Sequence, residues 1–143
     1  MTTGEFIIRL VIASAAGLLI GFERQWHQKA AGLRTNGLVS TGSAIYVLLS
    51  IAITQQGGDV TRIIGQVVSG IGFLGAGIIF KEGFTVHGLS TAATVWCSAA
   101  VGCLAAAGYY IETLISTLAV LTVNWVLLPV DIWLGKRNKG SEQ

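Results

Sequence analysis

Residues 70–77 read GIGFLGAG, and the first six, Gly70-Ile71-Gly72-Phe73-Leu74-Gly75, match the G-x-G-x-x-G pattern of a dinucleotide-binding turn. That turn needs a strand before it, a helix opening at the glycines and an acidic residue about 20 positions on. Here Val67, Val68 and Ser69 continue an apolar helical run, and the stretch from Phe84 to Tyr110 holds no Asp or Glu. The glycines therefore belong inside a helix, where a missing Cβ lets another backbone come close.

The environment of that helix is set by composition. Of 143 residues, 52% are hydrophobic and only 11% are charged, and the mean hydropathy is +0.70. Soluble domains carry about 25% charged residues, so this chain has too few to cover a water-facing surface. A net charge of +2 gives no footing for nucleic-acid binding. Cys97 and Cys103, six residues apart, face different ways on a helix and form no CxxC, so they imply neither a disulfide framework nor a zinc site.

Five apolar runs compare with the roughly 20 residues that cross a bilayer core. They predict an all-α integral membrane protein, a compact bundle of about five transmembrane helices forming one domain over residues 1–143. The first helix runs from about Glu5 to Phe22, with Arg9 placed to pair with Glu5 at i, i+4. The second runs from Gly37 to Thr54. The third follows Gln55-Gln56-Gly57-Gly58, takes Asp59 as N-cap and continues to Phe80. The fourth spans Thr91 to Ala107 with Ser90 or Thr91 as cap, and the fifth runs from Ile111 to Leu128. Pro129 is expected to end or kink the fifth. Ala13-Ser14-Ala15 resembles a signal-peptide cleavage site, but no Lys or Arg precedes Glu5, which favours a span over a cleaved leader.

Basic residues orient the bundle. Arg24, Lys29, Arg34, Lys81, Lys136, Arg137 and Lys139 fall on one side, against Arg62 and Arg9 on the other. The positive-inside rule then places the N-terminus outside and the C-terminus inside. Trp26, Trp125 and Trp133 lie near predicted helix ends, where indoles favour the interface.

Small residues recur at helical spacing. Gly65, Ser69, Gly72 and Ala76 form one face of helix three, and Gly70 and Gly77 form a second. Ala13, Gly17 and Gly21 line helix one, while Ala99, Cys103 and Ala106 line helix four. Close backbone packing at such residues supplies much of helix association in lipid. The stripes predict a tight bundle with helix three at its centre.

Four stretches carry a family resemblance: Gly21-Phe22-Glu23-Arg24-Gln25, Ala31-Gly32-Leu33-Arg34-Thr35-Asn36, the run from Thr61 to Gly77, and Gly88-Leu89-Ser90-Thr91-Ala92-Ala93-Thr94-Val95-Trp96-Cys97. In order and over most of the chain, they resemble the membrane domain of the MgtC/SapB family. The resemblance implies a multi-pass protein of the bacterial inner (cytoplasmic) membrane, linked to growth at low magnesium and, in pathogens, to virulence. It also implies that Glu82, Ser90 and Cys97 fall at motif positions tied to activity. Many members continue into a C-terminal domain of ACT-like fold; this chain reads as a short form, natural or shortened. Ser90 stands where similar sequences often have Asn.

Other candidates have competing readings. Arg34, with Thr35 and Asn36, could receive anions, headgroups or a partner's carboxylate through its bidentate fork, or simply anchor the helix end. Glu23, Arg24, Lys81 and Glu82 could form an ion-pair cluster, or the two carboxylates could serve a cation, since magnesium takes only one or two carboxylates. Solvated interfacial charge explains them as well, so Mg2+ binding is left open. Cys97 beside Trp96 reads as a packing thiol. His27 and His87 have no metal-ligand spacing. Thr117, Asn124 and Asp131 share a face of helix five, near Glu112, with Asn124 the best polar candidate for helix contact.

No nucleophile and base pair, metal site or cofactor motif supports an enzyme. The expected function is a regulator that docks its helices on a second copy or another membrane protein, the F-type ATP synthase being one target the resemblance suggests. The alternative is a small transporter or channel for magnesium or another cation, although such proteins place ionisable groups near the midplane, and here the charges gather at helix ends.

Overall fold

The computed structural model describes residues 1–54 and 59–139, with side chains through Pro129. Residues 55–58 and the side chains of Asp131, Trp133, Lys136, Arg137 and Lys139 lie outside the described residues. Five helices follow in order: α1 (Thr3–Trp26), α2 (Leu33–Thr54), α3 (Val60–Ile78), α4 (Leu89–Ala107) and α5 (Tyr110–Lys139). Each is long and apolar enough to cross a bilayer. Between α3 and α4 lies an antiparallel hairpin of β1 (Phe80–Glu82) and β2 (Thr85–His87), pairing Phe80 with His87 and Glu82 with Thr85. The prediction that helix three reaches Phe80 is thus corrected. Gly83 takes φ +59° at the hairpin turn, a backbone that glycine adopts without strain.

The helix ends show how local chemistry sets boundaries. Thr2 and Glu5 form a capping box at the start of α1, which satisfies two otherwise orphaned backbone donors. Glu5 is thereby drawn away from Arg9, and the expected pair between them does not form. Arg9 Nη1 instead donates to the Ala106 carbonyl at 2.8 Å, a cation at the C-terminal end of α4. Asp59 caps α3 through the Thr61 amide. Gly88, not Ser90 or Thr91, is the N-cap of α4; its φ of +87° and its approach to the Ile78 carbonyl exclude any side chain. Helix α5 continues through Pro129 to Lys139, so the proline does not end it.

The centre of the bundle is α4, not α3. Over the spanning window 56% of α4 is buried, against 11% of α3. Helices α1, α2 and α4 pack mutually, and α3 lies at the edge against α4 and, less closely, α2. The reason is backbone proximity. A Cβ on Gly17 would stand 2.5 Å from Ser40 Cβ, one on Gly21 would meet Leu33 and Gly32, and one on Gly102 would overlap the Ser40 carbonyl. Ala13, Ala44, Ala105 and Ala106 are fully buried in the same seam, with Val47 and Leu48 as its larger members. By contrast, a Cβ on Gly65, Gly70, Gly72 or Gly77 would meet nothing within 4 Å. Ser69 and Ala76 are exposed on the same helix. The small-residue faces of α3 are therefore not packed by any of the described residues.

Candidate functional site

Polar side chains inside the bundle concentrate where α1 ends and α2 and α4 begin, the end that carries the hairpin. Arg24, in the last turn of α1, is only 4% exposed. Its Nε and Nη2 donate to the Ala30 carbonyl at 3.4 and 3.2 Å, and Nη2 also donates to Thr91 Oγ1 at 2.5 Å. One guanidinium thus ties α1 to the following loop and to the first turn of α4. The loop turns at Gln28 and Ala31, both at positive φ.

Asn36 is fully buried in the first turn of α2. Its amide donates to the carbonyls of Ala31 and Gly32, and its Oδ1 accepts from Ser98 Oγ on α4 at 2.7 Å. A little deeper, Ser40 Oγ donates to the Ala13 carbonyl and Ser14 hydrogen-bonds Thr41. Among the described residues, each fully enclosed side-chain nitrogen or oxygen here has a partner, as the low-dielectric interior requires.

Helix α5 joins through Asn124. Its Nδ2 donates to Glu23 Oε2 at 3.1 Å, and its Oδ1 accepts from Thr94 Oγ1 at 3.4 Å. Glu23 Oε1 also stands 3.1 Å from His27 Nδ1, one helical turn on. Glu23, Arg24, His27, Lys29, Ser90 and Asn124 line a small cavity of ≈ 130 Å³. Thr117, on the Asn124 face of α5, is buried, while Glu112 is exposed.

The structure thus brings Glu23, Ser90 and Asn124 together and places Asn36 in the adjoining network. Arg34 and Thr35 are exposed on the opposite side of the same α2 turn. Cys97 is half-buried and Cys103 buried, both as free thiols. Glu82 does not join Glu23 in a cluster. It lies on the hairpin, 81% exposed, with His87 Nε2 3.9 Å away. Lys81 is likewise exposed on the hairpin. Of the readings open for Glu23, Arg24, Lys81 and Glu82, a four-residue ion cluster does not form among the described residues, because β1 carries Lys81 and Glu82 off the helix. No group of three or more His, Cys, Asp or Glu side chains among the described residues could hold a metal ion.

Sequence reasoning passed over Arg24 as a buried tie, His27 as the partner of Glu23, and Thr91, Thr94 and Ser98 as a polar stripe of α4. The signal for the last was present. Thr91, Thr94 and Ser98 are spaced three and four apart, one face of a helix.

Fold and site together define a multi-pass helical membrane protein with a buried polar tie at one end and apolar helix faces elsewhere. The chain belongs to the MgtC family, whose family model matches residues 10–132. It is 50% identical over 122 residues to Protein MgtC of Salmonella typhimurium, covering 85% of this chain and 52% of that protein. It is 54% identical over 114 residues to Protein MgtC of Brucella abortus, covering 80% and 48%. An uncharacterized protein of Synechocystis is 48% identical over 143 residues, covering 100% of this chain and 61% of its own length. The chain therefore spans about half to three-fifths of these relatives. No solved structure matches it significantly.

Proposed function

We propose that this chain is a non-catalytic regulatory module of the bacterial inner membrane, which acts by docking α3 against another membrane protein during adaptation to low magnesium. In this reading the hairpin end faces the cytoplasm, following the excess of Lys and Arg there. The F-type ATP synthase is one target of the kind implied by the resemblance to MgtC/SapB. The observation that carries the reading is the bare face of α3. Gly65, Gly70, Gly72 and Gly77 have room for a neighbour that the described residues do not supply, and Gln66 is an exposed amide in the same helix. An open groove of ≈ 580 Å³ between α2 and α3, bordered by Gly42, Tyr46, Gln66 and Gly70, adjoins the Gly70 face. Small residues and a polar side chain are what membrane helices use to associate.

A second reading, cation transport, is favoured by the polar column of Ser14, Thr41, Ser40, Asn36 and Ser98 through the bundle. These groups are turned to one another, which supports a structural role. The test is purified protein in liposomes, assayed for magnesium and proton flux. Silent vesicles are expected; robust flux with protein alone would overturn the regulatory reading.

A further inference from the structure

Arg24 is a buried cation that no carboxylate pairs among the described residues. Its sequence neighbour Glu23 is turned to His27 and Asn124 instead. Burying a charge is costly unless it is paired, and the carbonyl and hydroxyl on Nε and Nη2 leave the net charge in place. Nη1 makes no hydrogen bond among those described, and the side chain lines the ≈ 130 Å³ cavity together with Lys29, His27 and Ser90. That volume is well above the roughly 10–15 Å³ that admits one water. A second, apolar groove of ≈ 470 Å³ opens beside it between α1 and α5, and Glu23 and His27 line both. Leu19, Phe22 and Trp26 form one wall, Leu118, Leu121 and Trp125 the other. The two indoles are 74% and 67% exposed at this end of the bundle, where indoles mark the membrane interface.

We propose that this slot holds one anionic phospholipid, its phosphate at Arg24 and Lys29 and an acyl chain between α1 and α5. The occupant follows from two properties that meet at Glu23 and His27. The polar cavity carries a guanidinium with no carboxylate in ion-pair contact, whose fork suits phosphate oxygens. Lys29 adds a second positive charge, so the two cations outnumber the one carboxylate lining the cavity, Glu23, and favour a headgroup with net negative charge. The groove is apolar and faces the bilayer, so the ligand that fills both is amphipathic. Free phosphate fills only the first.

Native mass spectrometry of the detergent-solubilised chain tests this with three probes: phosphatidylglycerol, phosphatidylcholine and inorganic phosphate. One phosphatidylglycerol retained per chain is expected, resistant to inorganic phosphate and preferred over phosphatidylcholine. Leu118→Trp, at a 54% exposed position that tolerates bulk, is expected to abolish retention by filling the groove. Lys29→Gln is expected to weaken it about fivefold, the effect of one basic residue at an anionic surface. Arg24→Gln, if it purifies as a single species, is expected to lose it, and the other two variants decide the matter if it does not. Equal retention of phosphatidylcholine, displacement by inorganic phosphate, or unchanged retention in both Leu118→Trp and Lys29→Gln would overturn the proposal.

Discussion

Ser98 on α4 donates a 2.7 Å hydrogen bond to Asn36 on α2, and neither side chain has any exposed surface. The Asn36 amide is already committed to the Ala31 and Gly32 carbonyls, so its Oδ1 has Ser98 as its donor. Ser98→Ala leaves that oxygen buried and unpaired, at a cost of about 1–3 kcal/mol on the scale of soluble proteins and nearer ~0.6 kcal/mol if membrane averages hold. Asn36→Asp is expected to cost more, because a carboxylate would face two carbonyl oxygens. Unfolding in mixed micelles, followed by tryptophan fluorescence, ranks the two; equal stability of Asn36→Asp and wild type would contradict the bonding scheme.

Glycines on different helices are expected to behave oppositely. Gly102→Ala places a methyl on the Ser40 carbonyl and Gly17→Ala places one on Ser40 Cβ, so each is expected to lose about 1–3 kcal/mol through overpacking. Gly65→Ala and Gly72→Ala meet nothing within 4 Å and gain helix propensity of up to ~1 kcal/mol. The same unfolding assay is expected to show the first pair destabilised and the second unchanged or improved.

The start of α3 is expected to respond to acid. Hydrogen bonds from the Thr61 side chain and backbone hold the Asp59 carboxyl below its ordinary value. A depressed folded pKa means that the cap stabilises the helix above the ordinary carboxylate range, near 4, and that this contribution fades as pH falls through the lower folded value. Amide exchange over the first turn of α3, corrected for intrinsic rates, is expected to lose protection at the acid end of that window. Asp59→Ala should lack the pH dependence and show weak protection throughout.

Arg9 offers a test at the same end of the bundle, away from the Arg24 site. Arg9→Met removes the donor to the Ala106 carbonyl while keeping much of the apolar stem. A loss of about 1–2 kcal/mol is expected from a charge-assisted bond at a helix C-terminus. Glu5→Gln should leave the Arg9 bond untouched, because Glu5 serves Thr2 and not Arg9.

Five spans, the Asp59 cap and the family were legible in the sequence, because apolar run length, a capping side chain and long ordered motifs are local signals. The arrangement of the helices was not. GIGFLGAG marks a helix able to meet a backbone, but whether that backbone lies in the same chain depends on which helices compete for the centre. Helix α4 takes that place with Thr91, Ser98 and Gly102, whose partners Arg24, Asn36 and Ser40 lie 62 or more residues away in sequence. The hairpin escaped for the opposite reason. Three-residue strands lack periodicity, and only the Gly83 turn hinted that Lys81 and Glu82 leave the helix. Of the site, Glu23, Asn36 and Asn124 could be named as polar groups in apolar helices, whereas the burial of Arg24 follows from tertiary contacts alone.

Crosslinking along α3 in native membranes tests the docking claim most directly. In a Cys97→Ala, Cys103→Ala background, single cysteines at positions 65, 69, 72 and 76, and at 67 on the opposite, half-buried side of the helix as a face control, would carry a short photoactivatable crosslinker. The account predicts a discrete protein adduct, whether with a second copy or another membrane protein, strongest at positions 65 and 72 and weak at 67. Lipid-only labelling of equal strength at all five positions would contradict it.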